Sequence, residues 1–403
     1  MIISKKYFNS CTLYILLWVI YSLQGTLYAS GGIISRGLLV VLMLMSIYYA
    51  IKVNNSGQRL PSFLRVLNVF VAMITLYGVV AILDPTPLIV TGDGLYAPIA
   101  KFEFLKTAYI SLFPIYVFYY FAKKGILTEE TIRFISIILL INTTVSFVEA
   151  QNSMLADAMA MRSSREEFTN NVAYTFLQLM PLAFFWRRKP IMQYIYVIYI
   201  VAFLVMGMKR GALLIGAVCL IWFIYSSWRS ARGTQKVIIA ALTAIMVAVG
   251  IHYIAEFYAT SDYFQQRLER TMAGDSSGRD EIYSTLWNHY LNETSFLRVL
   301  FGNGAMQTIN IAGNYAHNDW LEVLTCHGAL GIFIYLMYFV SLVRCWISSR
   351  KSETIYGVLG MVLLIMFAST LFSMSYNSLS IGITLCLGYC LSQGSCKNIK
   401  VYE

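Results

Sequence analysis

A cluster of polar side chains stands directly before an apolar run in the stretch 315-YAHNDWLEVLTCHGALG-331. Histidine is the side chain best suited to move a proton near neutral pH, which makes His317 a candidate proton-transfer group. Asn318, Asp319 and Glu322 follow closely. A charged Glu322 is costly against lipid, so it should face protein or a water-filled cavity. The stretch therefore predicts a polar site at the mouth of a membrane helix.

A pair of positive charges lies in a tight turn between two apolar runs, in 206-MGMKRGALLIG-216. A tight outer turn of a membrane protein should avoid two such charges, so Lys209 and Arg210 are candidates for anion binding. Gly211 and Gly216 would let a neighbouring helix or a bulky ligand come close. Snorkelling of both side chains into the lipid interface is an equal alternative.

A third basic residue, Arg279, stands where a helix is expected to begin, in 273-AGDSSGRDE-281. A helix N-terminus offers unpaired N–H groups and a partial positive charge, which together favour an anion. The alternative is a solvated turn that carries a surface arginine.

Two more arginines, Arg162 and Arg165, precede Asn171 at another expected helix start. They are candidate substrate-binding residues. Alternatively, they pair with the neighbouring carboxylates of Glu166 and Glu167.

These groups must be positioned by a chain of 403 residues that is 58% hydrophobic and 12% charged, with a mean hydropathy of +0.64. Soluble domains carry roughly 25% charge. A helix of about 20 apolar residues crosses the hydrocarbon layer, and about twelve runs here have that character. They are 11–29, 33–51, 66–84, 107–122, 132–149, 172–186, 191–208, 211–228, 236–255, 328–343, 355–373 and 375–392. The sequence predicts an all-α polytopic protein in which residues 1–403 form a single integral membrane domain.

The net charge of +10 is distributed in a way that indicates membrane topology rather than nucleic-acid binding. Alternate loops, beginning with Lys5 and Lys6, collect nineteen of the 30 basic residues but only four of the 20 acidic ones. Because basic short loops stay in the cytoplasm, both termini are predicted there. The long loop 256–316 is then outside, and its patterns at 262–272 and 280–302 predict two amphipathic interfacial helices.

Metal binding is not predicted. Cys386 and Cys390 lie one turn apart, but no nearby histidine or acid completes a ligand set, so the seven cysteines are expected to pack as small helix residues. No outer pair of acids has the spacing of a divalent-cation site. We predict no metal and no cofactor.

Three motifs occur in order along the chain: Lys-Arg-Gly-Ala at 209–212, Ser-Gly-Arg at 277–279, and His-Asn at 317–318 followed by Gly328 and Gly331. Together they resemble the O-antigen polymerase and O-antigen ligase family of bacterial envelope-polysaccharide proteins.

A further stretch, from Arg162 to Pro181, resembles the Arg…Asn…Pro segment of the same family. The resemblance covers about 157–335 in its motifs and the whole chain in its topology.

The resemblance implies a GT-C-like membrane glycosyltransferase that acts on undecaprenyl-diphosphate-linked glycans at the periplasmic face of the bacterial inner membrane. It places pyrophosphate binding on Arg210 and Arg279, and acceptor activation or sugar positioning on His317. The implied partners are a lipid-linked oligosaccharide donor, a glycan acceptor, membrane lipid and other polysaccharide-assembly proteins, with no nucleic acid.

Two alternatives to a polymerase stay open. A ligase would transfer the finished chain to lipid A-core; such proteins usually carry Gly, Thr or Ser after the second glycine, where this chain has Ile332. A transporter or flippase would place charged groups near the bilayer midplane, whereas here they lie at the ends of the apolar runs.

Overall fold

The fold is almost entirely helical, as predicted. The computed structural model describes residues 9–91, 97–160, 169–260, 265, 269, 278–372 and 375–393. Helix accounts for 78% of the structure, which confirms the all-α class. The described residues also include one short antiparallel strand pair, β1 (Ile89–Val90) with β2 (Ala97–Pro98).

The α-helices of the described residues follow one another along the chain, and a 3₁₀ segment at Met180–Trp186 continues α7. In chain order they are α1 Ser10–Ser22, α2 Ile33–Asn54, α3 Ser62–Leu83, α4 Phe102–Leu112, α5 Pro114–Lys123, α6 Glu129–Ala160, α7 Ala173–Leu179, α8 Pro190–Met206, α9 Arg210–Ser230, α10 Thr234–Thr260, α11 Arg279–Leu291, α12 Phe296–Phe301, α13 Thr308–Ala312, α14 Asp319–Ser348, α15 Glu353–Phe372 and α16 Ile381–Ser392.

Many of these helices have the length and composition of membrane spans. Within the part of the chain that the structure describes, eight helical stretches, one of them made of α4 and α5 together, are long and apolar enough to cross a membrane: Ile33–Asn54, Ser62–Leu83, Phe102–Lys123, Glu129–Ala156, Arg210–Ser230, Thr234–His252, Asp319–Ser348 and Glu353–Phe372. The other predicted runs coincide with shorter apolar helices: Ser10–Ser22, Ala173–Trp186, Pro190–Met206 and Ile381–Ser392. The count of twelve spans stays a prediction.

The centre of the molecule is α16, in which every residue is buried. A helix that is apolar on all sides belongs in a core. It packs on α5 at Gly388, where an added Cβ would lie 2.7 Å from the Tyr119 nitrogen and 2.8 Å from the Ile115 oxygen. The two backbones are therefore in direct contact.

The predicted span 328–343 lies within a longer helix, and the helix predicted to begin at His317 begins two residues later. The run 328–343 marked the expected span, but α14 starts at Asp319 and is kinked at Gly328, whose φ is 65° and ψ is −164°. Two carbonyl groups beside the kink accept hydrogen bonds from the loop that precedes α14: Asn303 N donates to Thr325 O at 2.9 Å and Gly304 N donates to Cys326 O at 3.0 Å. These hydrogen bonds join that loop to α14 at the kink.

Gly328→Ala is expected to destabilise the protein by roughly 3 kcal/mol or more, through left-handed strain and overpacking together. An added Cβ would lie 2.5 Å from both Gly302 N and Leu300 O, which are backbone atoms that cannot rotate away. A fall in the melting temperature of the detergent-purified protein measures the effect.

The matched control is Gly37→Ala on α2, where an added Cβ meets nothing within 4 Å. Alanine is the better helix former, so this variant should melt no lower than wild type. Equal melting temperatures for both variants would contradict the packing described at the kink.

The loop 256–316 differs in part from its predicted form. The expected single helix over 280–302 is two helices, α11 and α12. Between them, the Glu293 carboxylate accepts a hydrogen bond from Ser295 N at 2.9 Å, which stabilises a turn instead of a further helical turn. Apart from residues 265 and 269, the other expected helix, 262–272, lies outside the described residues.

Candidate functional site

A cavity of about 980 Å³ gathers four of the predicted site residues: Lys209, Arg210, Arg279 and His317. Its volume is at the upper end of the range typical of ligand sites. The remaining lining residues are Trp18, Tyr21, Ile110, Ser111, Asn171, Tyr174, Thr175, Gln178, Gly211, Leu214, Asp280, Tyr283, Ser369, Leu371, Phe372, Ser375, Ser378, Leu379 and Ser380.

The three basic residues of the cavity all stand at helix starts. Lys209 is the N-cap of α9, Arg210 is its first residue, and Arg279 is the first residue of α11. The start of a helix carries a partial positive charge, which repels the basic side chains placed there. An anion, in contrast, is attracted both by the helix start and by these side chains. The first turn of α9 holds no acid to offset this. The cavity therefore collects positive charge at two helix starts, and Asp280 and Glu281 in the first turn of α11 offset part of it.

Left-handed backbone occurs at His317 and at the residues directly before Lys209 and Arg279. Met208, directly before Lys209, has φ 50°, Gly278, directly before Arg279, has φ 78°, and His317 itself has φ 51°. Such a conformation is uncommon for residues other than glycine, and strained backbone tends to occur at functional sites. It turns the chain so that each side chain reaches the cavity.

Contacts between distant segments hold the basic residues in place. The Arg279 guanidinium donates to Phe372 O at the end of α15 at 3.2 Å. Tyr283 Oη donates to His317 O at 3.4 Å, which links α11 to the segment before α14. At Gly211 an added Cβ would collide with the Tyr174 hydroxyl, so the lack of a side chain there lets α9 lie against α7.

The electrostatic setting of His317 favours its neutral form. Burial lowers the pKa of the imidazole below its usual 6.5, and the positive charges of Arg279 and Lys209 lower it further. A neutral imidazole retains a nitrogen that can accept a proton or a hydrogen bond.

If the cavity catalyses a reaction that needs neutral His317, we expect kcat/KM to be independent of the protonation of His317 at pH values well above its lowered pKa. Because the active form is neutral and the pKa is lowered, activity should fall only as the pH decreases through a value below 6.5. Lys209→Gln removes one of the charges that disfavour the imidazolium, so its acid limb should lie at higher pH than that of wild type. A wild-type limb centred above 6.5 would contradict this setting.

Three other predicted site residues do not line the cavity. Asn318 caps α14, where its side-chain oxygen accepts from Trp320 N at 3.0 Å and Leu321 N at 3.2 Å. Asp319 and Glu322 are fully buried inside the protein. The structure therefore does not bring Asn318, Asp319 or Glu322 to the predicted substrate site.

Both buried carboxylates are instead satisfied by partners within the protein. Glu322 accepts from Thr308 Oγ1 at 2.9 Å and from Ala316 N at 3.0 Å, which fixes the segment just before His317. Asp319 accepts from Ser375 and Tyr335. Glu322 therefore faces protein. This is one of the two environments expected for it, the other being a water-filled cavity, because a charged side chain against lipid is costly.

Two further predicted residues, Arg162 and Arg165, lie outside the described residues. Metal binding likewise receives no support within the described ranges, where no group of three or more His, Cys, Asp and Glu side chains could hold an ion. The cysteines of these ranges are all buried: Cys11, Cys219, Cys326, Cys345, Cys386 and Cys390.

Sequence reasoning missed most of the uncharged wall of the cavity. Ser375, Ser378 and Ser380 were assigned to a predicted span, 375–392, but α16 begins only at Ile381. The available signal was three serines within six residues of a supposedly apolar run. Asp280, the one acid that the cavity shows among the described residues, was read only as part of a helix start.

The chain matches no protein-family model, and no curated protein matches it.

Proposed function

We propose that the chain is a membrane glycosyltransferase that transfers a glycan from undecaprenyl diphosphate to an acceptor hydroxyl in the 980 Å³ cavity. The observation that carries this proposal is the meeting of Lys209, Arg210 and Arg279, at two helix starts, with His317. A diphosphate supplies the negative charge that this arrangement favours, and the imidazole supplies a group that can engage a hydroxyl.

In the proposed reaction, the acceptor oxygen attacks the anomeric carbon of the donor sugar. The bond from that carbon to the diphosphate oxygen breaks, and undecaprenyl diphosphate leaves with the bonding electrons. Arg210 and Arg279 stabilise the negative charge that develops on the departing oxygen. The acceptor proton passes to the neutral imidazole of His317 or, if His317 only orients the hydroxyl, to the departing diphosphate oxygen. We propose that no metal is required.

We propose the polymerase reaction, in which the growing chain moves from its lipid diphosphate onto the next lipid-linked repeat unit. Ile332 after Gly331 departs from the usual ligase pattern and so favours it. The ligase, with lipid A-core as acceptor, is the second candidate because both use the same donor. A transporter is less favoured, because the basic residues of the cavity stand at helix starts and the buried acids are bonded within the protein.

The proposed setting is the bacterial inner membrane, with a GT-C-like arrangement of about twelve spans. The distribution of basic residues supports cytoplasmic termini and a periplasmic cavity. The loop 256–316, which carries Arg279, would then lie on the same side as His317.

Deleting the gene and analysing the surface glycan tests the reaction assignment. If the protein is a polymerase, the deletion strain should carry single repeat units on its outer surface in place of long chains. Long chains that are not attached to lipid A-core would indicate the ligase, and loss of all surface glycan would indicate a transporter. An unchanged glycan would contradict the proposal altogether.

A further inference from the structure

Several serines from one segment form part of the uncharged lining of the cavity. We call residues 375–380, between α15 and α16, the serine strap. Its Ser375, Ser378 and Ser380 line the cavity, and Ser369 from the last turn of α15 lines it as well. These hydroxyls share the cavity with the basic residues at the helix starts but carry no charge. Because a hydroxyl both donates and accepts, these serines can bind a neutral polar group of a ligand as well as a phosphate oxygen.

Ser369 is the hydroxyl that most clearly indicates a ligand. It is 3% exposed, and within the described part of the chain its Oγ has no hydrogen-bond partner. The neighbouring Thr370 and the buried Ser341 behave as expected, since each donates to a carbonyl three residues earlier in its own helix at 2.7 Å. A buried polar group without a partner is costly, and such groups are rare in folded proteins. A ligand hydroxyl would satisfy Ser369.

The strap is held by a buried carboxylate. Asp319 accepts from both the backbone nitrogen and the hydroxyl of Ser375, each at 2.7 Å, and from Tyr335 Oη at 2.8 Å. Asp319 lies two residues after His317. The position of the strap is thereby fixed relative to the proposed acceptor-handling group. With its hydrogen donated to Asp319, the Ser375 oxygen keeps lone pairs that can accept from a ligand.

We propose that Ser369 and the serine strap form the subsite for the sugar next to the diphosphate. Each sugar hydroxyl both donates and accepts hydrogen bonds, and so does each serine. Trp18 and Tyr21 line the same cavity and add apolar surface suited to the carbon face of a sugar ring. Asp319 is a positioning residue that acts through Ser375. This inference rests on the proposed function, because it assumes that a glycosyl diphosphate is the ligand.

Binding of two lipids separates the sugar subsite from the diphosphate site. The probes are undecaprenyl diphosphate without sugar and the lipid-linked repeat unit purified from a strain that lacks this protein. Both are titrated into wild type and variants in nanodiscs. Ser369→Ala and Ser378→Ala should each weaken binding of the lipid-linked repeat unit by about 3- to 10-fold, the range expected for one lost hydrogen bond. Their affinity for the bare lipid should not change.

Thermal melting of the ligand-free protein distinguishes a role of Ser369 in sugar binding from a role in stability alone. Ser369→Ala removes an unpaired buried hydroxyl, so its melting temperature should be equal to or higher than that of wild type while sugar-dependent binding falls. Asp319→Asn should show the same selective loss for the lipid-linked repeat unit. Ser341→Ala on α14, buried but outside the cavity, is the matched control and should bind both lipids like wild type.

The outcomes distinguish this inference from the function on which it rests. If wild type binds neither lipid, the proposed function fails and the subsite with it. If wild type binds both lipids with equal affinity, or if Ser369→Ala binds both like wild type, the diphosphate site stands and the sugar subsite is wrong. An equal loss of both lipids in Ser369→Ala would also overturn the subsite.

Discussion

Replacing Arg279 by alanine is expected to lower turnover of lipid-linked glycan by about 10²-fold or more, and Arg210→Ala is expected to do the same. Both guanidinium groups would stabilise charge that develops on the departing diphosphate, and both stand at helix starts that face one cavity. Single-turnover kinetics on detergent-purified protein measures the effect. The double variant should lose less than the product of the two single losses, since both residues act on one group.

Lysine replacements separate charge from geometry. Arg→Lys keeps the positive charge but loses the bidentate fork that fits phosphate oxygens, so it should retain intermediate activity at best. The matched control is Arg298→Ala in α12. Arg298 is exposed, its Nη1 lies 3.6 Å from Glu293 Oε2, and it does not line the cavity. If Arg210→Ala and Arg279→Ala are well folded and turn over like wild type, the diphosphate assignment is wrong.

His317→Ala is expected to lower the rate of transfer by about 10²-fold or more, while donor binding stays close to that of wild type. A neutral base or orienting group adds little to ground-state affinity for diphosphate, so the loss should appear in kcat. Equilibrium binding of undecaprenyl diphosphate and single-turnover transfer measure the two properties separately. Loss of binding together with transfer would show that His317 belongs to the anion site.

Asparagine at position 317 refines the test. Asparagine tolerates the left-handed backbone found there and still forms hydrogen bonds, but it cannot take a proton. His317→Asn should therefore be inactive if the imidazole is a base and partly active if it only orients the hydroxyl. The control is His252→Gln on α10, an exposed site away from the cavity. Full activity of His317→Ala would leave this residue with a structural role only.

The helices could be predicted because apolar runs of membrane length are encoded directly in composition. The run 211–228 corresponds to α9, Arg210–Ser230, and 236–255 lies within α10, Thr234–Thr260. The kink in α14 could not be predicted in this way. It depends on hydrogen bonds from Asn303 and Gly304, which come from a different part of the chain.

The site was predictable where residue types are unusual for their setting. Paired charges in a tight turn and a histidine at the mouth of a span stand out against an apolar background, and the structure brings both to one cavity. Asp319 and Glu322 stand out equally in the sequence, yet they are buried. Their partners are not visible in any local pattern, since Ser375 lies 56 residues from Asp319. The serine strap went unrecognised because serine is ordinary at helix ends.

Reconstituted transfer is the most direct test of the central claim that this cavity moves a glycan off undecaprenyl diphosphate. Purified protein is placed in vesicles with lipid-linked repeat units from a strain that lacks it, with and without added lipid A-core. The prediction is a ladder of lengthened glycans without lipid A-core, with one undecaprenyl diphosphate released for each transfer, and neither product from the Arg210→Ala/Arg279→Ala variant. If the folded wild-type protein releases no undecaprenyl diphosphate under either condition, or if the double variant releases as much as wild type, the claim is contradicted.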